Sequence, residues 1–346
     1  FIKNKEIDDD DEYLSIDLNQ AKEEQIDILV SKLAQFIDLN CLELISYYKC
    51  SKQMLYLEQI VQKIQKIKQL RIYLSFSCGY QKDAKSQVQV ETCFRKFSNL
   101  THLVIDASFS QIQPQSFKNM LSDLQQCDML VSLQLNFRNQ ISLNELNMAD
   151  LGILIGSFVN LQKLDVNLWD NKLSPQSFSH LAQGISKGGI NLSDLTFNLE
   201  NTKVNDAILS ELGTAFEKCS NLKSLKIDLK FNNIKSVGLS QLIQSLSKCL
   251  YLSYLTLDFG WNKFGNLGAD HLASHLKNII SLKYLHLSIM SCEIDSTGLI
   301  EIGKRLRDCS QLNSIKLYII GNLFIMNDYI HLYNYVKHIP YLVSIY

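Results

Sequence analysis

The chain has 346 residues, a charged fraction of 20% and a formal net charge of −1 at pH 7. These totals lack the basic excess of proteins that grip a nucleic-acid backbone, so no nucleic-acid partner is expected. The longest apolar runs, such as 151–159, are much shorter than the roughly 20 residues that a membrane-spanning helix needs, which predicts no membrane span.

The N-terminal part of the chain predicts a tail followed by a helix. Residues 1–23 carry an acidic run from Asp8 to Glu12, and we expect this segment to be poorly ordered. Residues 24–36 have apolar side chains at helical spacing, which predicts a helix that caps the core of a single domain, 24–346. The chain begins at Phe1 rather than Met, so we expect it to be part of a longer protein.

From Leu39 onward, the apolar pattern L-x-x-L-x-[LI]-x-[LIF] recurs every 28 to 33 residues, most often every 30. We call the residue that begins each copy the first leucine. These residues are Leu39, Ile67, Leu100, Leu130, Leu161, Leu192, Leu222, Leu252, Leu282, Leu312 and Leu342. A repeat of this period predicts a solenoid, in which each unit stacks on its neighbours.

The copy that starts at Leu222 shows the expected structure of one unit. Alternating apolar residues at 225, 227 and 229 predict a short strand, and a turn with Asn232 follows. Ser236 is then expected to cap a helix whose apolar residues lie at helical spacing. Fourteen residues after each first leucine, the other units also carry N-cap or first-turn residues: Pro114, Asn144, Pro175, Asp206, Asn266 and Ser296.

Two places depart from the regular unit. The unit between Leu74 and Cys93 is longer by three residues, and 79–85 is predicted to form a protruding loop. At the other end, Leu342 to Ile345 predicts an eleventh strand with no polar cap after it, so we expect further chain or a partner to cover that edge.

A strand–turn–helix unit of this length resembles the ribonuclease-inhibitor-like class of leucine-rich repeats, over 39–346. The sub-pattern from Gly238 to Leu257 is similar to large repeat families of ciliate protozoa. The resemblance implies an α/β horseshoe of 10–11 repeats, with parallel strands on the concave face and helices on the convex face. It implies little about activity, since this class hosts inhibitors, GTPase activators, sensors and scaffolds.

The nine cysteines fit a core rather than a metal site or a disulfide framework. Cys127, Cys219, Cys249 and Cys309 lie three residues before a first leucine, where other units have Phe or Ile, and Cys292 takes a position that is Asn elsewhere. Since no C-x-x-C pair occurs, we expect reduced thiols in an intracellular, cytoplasmic protein, with a cytoskeletal or ciliary location left open.

Two sets of side chains are candidates for partner binding on the concave face. Six residues after the first leucine, a polar column includes Asp228 and Asp258; it either binds a basic segment or is repeat consensus in which Asn and Asp satisfy one another. Tyr254, Trp261, Tyr284 and His286 are expected to converge nearby and to anchor a protein. The alternative for Trp261 is packing within its turn.

Signals for catalysis, cofactors and metals are absent from the sequence. His271 and His275 have H-x-x-x-H spacing, but Leu272 stands where a zinc protease needs glutamate. We therefore expect no catalytic residue, no cofactor and no metal. The favoured interpretation is a non-enzymatic scaffold, or a subunit of a large complex, that binds protein through the concave face. A GTPase-activating protein of the leucine-rich-repeat type is the alternative, although its acidic tail would follow the repeats.

Overall fold

The computed structural model describes residues 2–4, 12–18, 25, 28, 31–32, 39–46, 60, 66–74, 94, 97–110, 112–140 and 142–345. The chain divides into two compact units, Phe1–Asn167 and Leu168–Tyr346, which are described in turn.

Seven strands and two helices of the first unit have their bounds among its described residues. The strands are β1 (Ile2–Asn4), β2 (Glu12–Asp17), β3 (Leu39–Ile45), β4 (Gln69–Tyr73), β5 (His102–Asp106), β6 (Ser132–Asn136) and β7 (Lys163–Asn167); the helices are α1 (Pro114–Leu124) and α2 (Glu145–Ser157). β1 and β2 are antiparallel, and β2 to β7 pair in parallel in chain order.

The N-terminal segment contributes a strand that the repeat pattern does not include. β2 pairs with β3, its residues Leu14 and Ile16 are buried, and the Tyr13 hydroxyl donates a 2.6 Å hydrogen bond to Glu43. The acidic run 8–11, most of the predicted helix 24–36 and the predicted loop 79–85 lie outside the described residues. The described positions of that helix, 25, 28, 31 and 32, are helical.

The second unit alternates strands and helices without interruption. Its strands are β8 (Asp194–Asn198), β9 (Ser224–Asp228), β10 (Tyr254–Asp258), β11 (Tyr284–Ser288), β12 (Ser314–Tyr318) and β13 (Tyr341–Ile345). Its helices are α3 (Pro175–Gly188), α4 (Asp206–Phe216), α5 (Ser236–Leu246), α6 (Gly265–Leu276), α7 (Ser296–Arg307) and α8 (Met326–Val336). The strands are parallel in chain order, which confirms the predicted α/β leucine-rich-repeat solenoid and its eleventh repeat strand, β13.

The repeat pattern places the core where the sequence predicts it. In the repeat that begins at Leu222, strand residues Leu225 and Ile227 and helix residues Leu239 and Leu242 are fully or almost fully buried. Burying one such side chain contributes about 1.5–3 kcal/mol. Gly238 lets α5 approach α4, because a Cβ atom there would lie 2.7 Å from the Asp206 Cα.

The helix starts agree with the predicted column in most repeats. Asn144 is the N-cap of α2 and accepts from the Asn147 N–H, while Pro114 and Pro175 are the first residues of α1 and α3. The prediction for Ser236 is wrong: the N-cap of α5 is Lys235, and Ser236 is already helical. The Lys235 side chain makes no capping bond, and the Lys235 N–H donates to Asp206 Oδ1 of the preceding repeat.

In the repeats that the structure describes, the residue ten positions after the first leucine is buried or half-buried; we call this set the amide column, because asparagine is its most frequent residue. In the second unit it comprises Asn171, Thr202, Asn232, Asn262, Cys292 and Asn322. The Asn262 Nδ2 donates to the Leu229 carbonyl of the preceding repeat (2.8 Å) and to the Phe259 carbonyl of its own, and its Oδ1 accepts from the Ile234 N–H. These bonds satisfy backbone groups that the turns leave unpaired.

The six described cysteines are free thiols. Cys127, Cys219 and Cys249 are buried, as their apolar position predicts, whereas Cys309 is half-buried. Burial raises the pKa of Cys219 to about 12 and that of Cys309 to about 11. Such thiols remain protonated and are poor nucleophiles at neutral pH.

Candidate interaction surface

Strands β8 to β12 bury their second and fourth residues, and the first, third and fifth residues form a surface that we call the open sheet face. On β10, Leu255 and Leu257 are buried, whereas Tyr254, Thr256 and Asp258 are exposed or half-buried on the opposite side. All six predicted binding residues lie on this face or in the turn that follows it.

Two tyrosines form a stacked pair at the start of their strands. The parallel register aligns Tyr254 of β10 with Tyr284 of β11. Their ring centroids are 4.4 Å apart at an interplanar angle of 5°, and the residues are 49% and 39% exposed. The hydrogen bond between the Tyr254 and Tyr284 side chains raises the pKa of the Tyr254 hydroxyl.

His286 belongs to a different contact. It lies on β11 in register with Thr256 and Lys316, and its ring stacks on Tyr318 with centroids 5.1 Å apart. Burial and the neighbouring Lys316 lower the pKa of His286, so its imidazole is neutral at pH 7. The four predicted aromatic residues therefore do not form one cluster, because His286 stacks on Tyr318 of β12 while Tyr254 and Tyr284 stack on each other.

Trp261 forms a second aromatic pair, with Phe231, beyond the ends of β10 and β9. Their centroids are 4.5 Å apart at 14°, and the residues are 41% and 47% exposed. Trp261 thus packs on the equivalent turn of the preceding repeat and keeps part of its ring at the surface. About 13 Å of strand separates Tyr254 from Asp258, so the two aromatic pairs occupy opposite ends of the open sheet face.

Both residues of this pair have left-handed backbone conformations, and they share them with the same position in other repeats. From Phe109 to Gly321, the residue nine positions after the first leucine has a positive φ in each repeat; we call these residues the left-handed column. They are Phe109, Asn139, Asp170, Asn201, Phe231, Trp261, Ser291 and Gly321, with φ between 52° and 81°. Asn, Asp and Gly adopt this conformation readily, whereas bulky aromatic residues seldom do.

The polar column has a structural role that the sequence reading did not anticipate. Asp228 and Asp258 lie side by side, and the Oδ1 of each accepts from the backbone N–H two residues later, at 3.1 Å and 3.0 Å. Asp106 and Asn198 make the same bond in their own turns. The column therefore closes the strand-to-helix turns, and mutual pairing, as between Asn136 and Asp106, is an addition to that role.

Lys230, which sequence reasoning missed, lies among three carboxylates. Its Nζ is 3.1 Å from Asp228 Oδ2, 3.3 Å from Glu200 Oε2 and 3.9 Å from Asp258 Oδ2. Burial raises the pKa of Asp228 and of Glu200, and Lys230 opposes that effect in each case. Burial acts to lower the pKa of Lys230, but the attraction of the carboxylates, Asp228 first, outweighs it and the pKa is raised. In the sequence, only the spacing of Lys230 two residues after Asp228 could have indicated this ion pair.

The two helical histidines interact with the backbone. His271 Nδ1 is 3.2 Å from the Ser236 carbonyl oxygen, and His275 Nδ1 is 3.0 Å from that of His271. Among the residues that the structure describes, no group of three or more His, Cys, Asp or Glu side chains could hold a metal ion. Nor does any described helix have the length and apolar character to cross a membrane.

Comparison with known proteins finds no family model that matches the chain and no curated protein that is similar to it. The repeat architecture is therefore assigned from its strands and helices alone.

Proposed function

We propose that this protein is a non-enzymatic interaction module whose open sheet face binds a protein partner, as a scaffold or as a subunit of a larger assembly. The observation that carries the proposal is the pair of exposed aromatic stacks, Tyr254–Tyr284 and Phe231–Trp261. Large aromatic side chains are enriched at the centres of protein interfaces and account for much of their binding energy.

The backbone supports this role because it fixes the aromatic rings before a partner arrives. Tyr254 and Tyr284 are held by the parallel register of β10 and β11, and the Trp261 N–H donates to the Met290 carbonyl of the next turn at 2.8 Å. Side chains that are already ordered lose less conformational entropy on binding.

We also propose a class for the repeats and a location for the protein. The strand–turn–helix unit and the amide column support membership of the ribonuclease-inhibitor-like class of leucine-rich repeats. The free, buried thiols support a location in a reducing compartment inside the cell.

The test uses photo-crosslinking from the open sheet face. A photoreactive amino acid at Thr256, in the middle of β10, should give adducts with a protein in native lysate, whereas the same group at Gln241, exposed on α5, should not. Equal adducts from the two positions would place binding elsewhere on the molecule.

The crosslinked partner then permits an affinity measurement. The Tyr254→Ala, Tyr284→Ala double variant should bind it more weakly by about 1–4 kcal/mol, as expected for interface anchors. The control is Tyr251→Ala, which removes an exposed tyrosine outside the stack and should leave affinity unchanged. Wild-type affinity in the double variant would contradict the proposal.

A further inference from the structure

Trp261 presents an aromatic face at the surface in a position where the fold does not need one. Phe231 shares this position in the preceding repeat, whereas the other members of the left-handed column in this unit are the smaller residues Asp170, Asn201, Ser291 and Gly321. Phe231 covers one face of the indole, and the turn on the other side carries the small residue Ser291. Trp261 is 41% exposed, so part of its indole is accessible to a further planar group.

Asp258 lies three residues before Trp261 in the sequence. Of the three carboxylates around Lys230, it is the farthest from the ammonium. Its Oδ2 is 3.9 Å from the Lys230 Nζ, against 3.1 Å for Asp228 and 3.3 Å for Glu200. Its side chain is also the most exposed, at 28% against 19% and 11%. Its Oδ1 accepts from the N–H of Gly260, which directly precedes Trp261 and has no side chain to cover the carboxylate.

The charges at this end of the open sheet face favour a cation. Glu200, Asp228 and Asp258 supply three negative charges and Lys230 one positive charge, which leaves −2 for the four groups when all are ionised. The Lys230 ammonium is already bound to two of the carboxylates, so the remaining attraction is directed toward Asp258 and the solvent beside it.

The first unit shows what kind of cation an aromatic residue of the left-handed column accepts. Phe109 has the same backbone conformation as Trp261, with φ 59° against 58°. The guanidinium carbon of Arg138 lies over the Phe109 ring, 4.9 Å from its centroid. A guanidinium is planar and weakly hydrated, so it stacks on an aromatic face while its N–H groups remain free to bind a carboxylate.

We propose that Trp261 and Asp258 form a binding site for an arginine side chain of the protein partner. The guanidinium stacks on the exposed face of the indole and donates N–H bonds to the Asp258 carboxylate. Lysine fits less well, since its ammonium is compact and cannot both stack and bind the carboxylate along one edge. This inference rests on the proposed function and specifies the chemistry of the partner.

The experiment observes the indole N–H signals by NMR, since the chain has two tryptophans and each signal is assigned with a Trp→Phe variant. The probes are three capped tripeptides, acetyl-Gly-X-Gly-amide, in which X is arginine, lysine or citrulline. Titrations of the Trp261 signal should give an affinity for the arginine peptide at least about 5-fold higher than for the lysine or citrulline peptide. The Trp169 signal should not move.

The deciding variant is Asp258→Asn. It keeps the side-chain oxygen that closes the turn, as Asn198 does in its own repeat, so the fold is retained while the charge is removed. Arginine-peptide affinity should fall at least about 5-fold, as expected for a charge-assisted bond. The control Asp270→Asn, which removes an exposed carboxylate on α6, should leave affinity unchanged. Equal binding of the lysine peptide, insensitivity to Asp258→Asn or a stationary Trp261 signal would overturn the proposal.

The outcome is separable from that of the proposed function, because the tripeptides bind without the partner. If the peptides fail but the Thr256 crosslinks and the double tyrosine variant behave as expected, the interaction function stands and the arginine site does not. If crosslinking fails while the arginine peptide binds at Trp261, the reverse holds.

Discussion

The amide column and the left-handed column lie one residue apart in the repeats whose turns the structure describes, yet they have opposite properties. Asn262 is fully buried, and its side chain bonds to two repeats. Trp261, which precedes it, is 41% exposed, and other repeats have different residue types at its position. A strand-to-helix turn therefore combines a position that the fold buries with one that it leaves at the surface. Function can change at the second position without disturbing the first.

The largest effect expected from this comparison is that of Asn262→Ala. The change leaves the Ile234 N–H without its buried partner and removes one of the two side-chain amides that donate to the Leu229 carbonyl, and it should lower the free energy of unfolding by about 2–4 kcal/mol. Urea denaturation measures it, with Ser291→Ala from the left-handed column as a control that should cost less than about 0.5 kcal/mol. Equal losses in the two variants would remove the distinction between the columns.

An intermediate effect is expected for Lys230→Met. Lys230 belongs to neither column, so this variant measures what the ion pairs with Glu200 and Asp228 contribute to stability. Removing the ammonium leaves the poorly exposed carboxylates of Glu200 and Asp228 uncompensated, and the protein should lose about 1–3 kcal/mol of stability at pH 7. The matched control is Lys263→Met, which breaks an exposed pair with Glu293 and should cost at most about 0.5 kcal/mol.

The pH dependence of Lys230→Met follows from the direction of the carboxylate pKa values. Burial raises the pKa of Asp228 and of Glu200 in the folded protein, so the folded state binds protons more tightly than the unfolded state does. Stability lost at pH 7 should therefore be regained as the pH falls toward about 4, near the ordinary carboxylate pKa. Denaturation at pH 7 and pH 5 tests this; a loss that is the same at both pH values would contradict it.

The smallest effect on stability is expected for Trp261→Asn. Asparagine suits a positive φ, a gain of up to about 1 kcal/mol, while the lost stacking on Phe231 costs about 0.5–1.5 kcal/mol. Thermal unfolding should therefore place the variant within about 1 kcal/mol of the wild type, as these opposing terms require. A loss comparable to that of Asn262→Ala would show that the indole belongs to the core.

The sequence predicted the repeat array because the first leucines and the alternating strand residues respond to burial alone. It also placed Tyr254 beside Tyr284, since a parallel register follows directly from a fixed period. It did not reveal that Trp261 lies at the other end of the strand, or that Lys230 folds back onto Asp228 and Glu200. Those facts depend on turn dihedral angles and side-chain rotamers, which periodicity does not encode. β2 was missed because it precedes the first complete copy of the pattern.

The bonds of Asn262 have a mechanical consequence. Its amide spans two repeats, so stretching the second unit from one end would not loosen the chain residue by residue; each repeat would be held until its bridging amide and strand ladder ruptured together. A pulling trace should then advance in steps of one repeat, each releasing about 100 Å of chain.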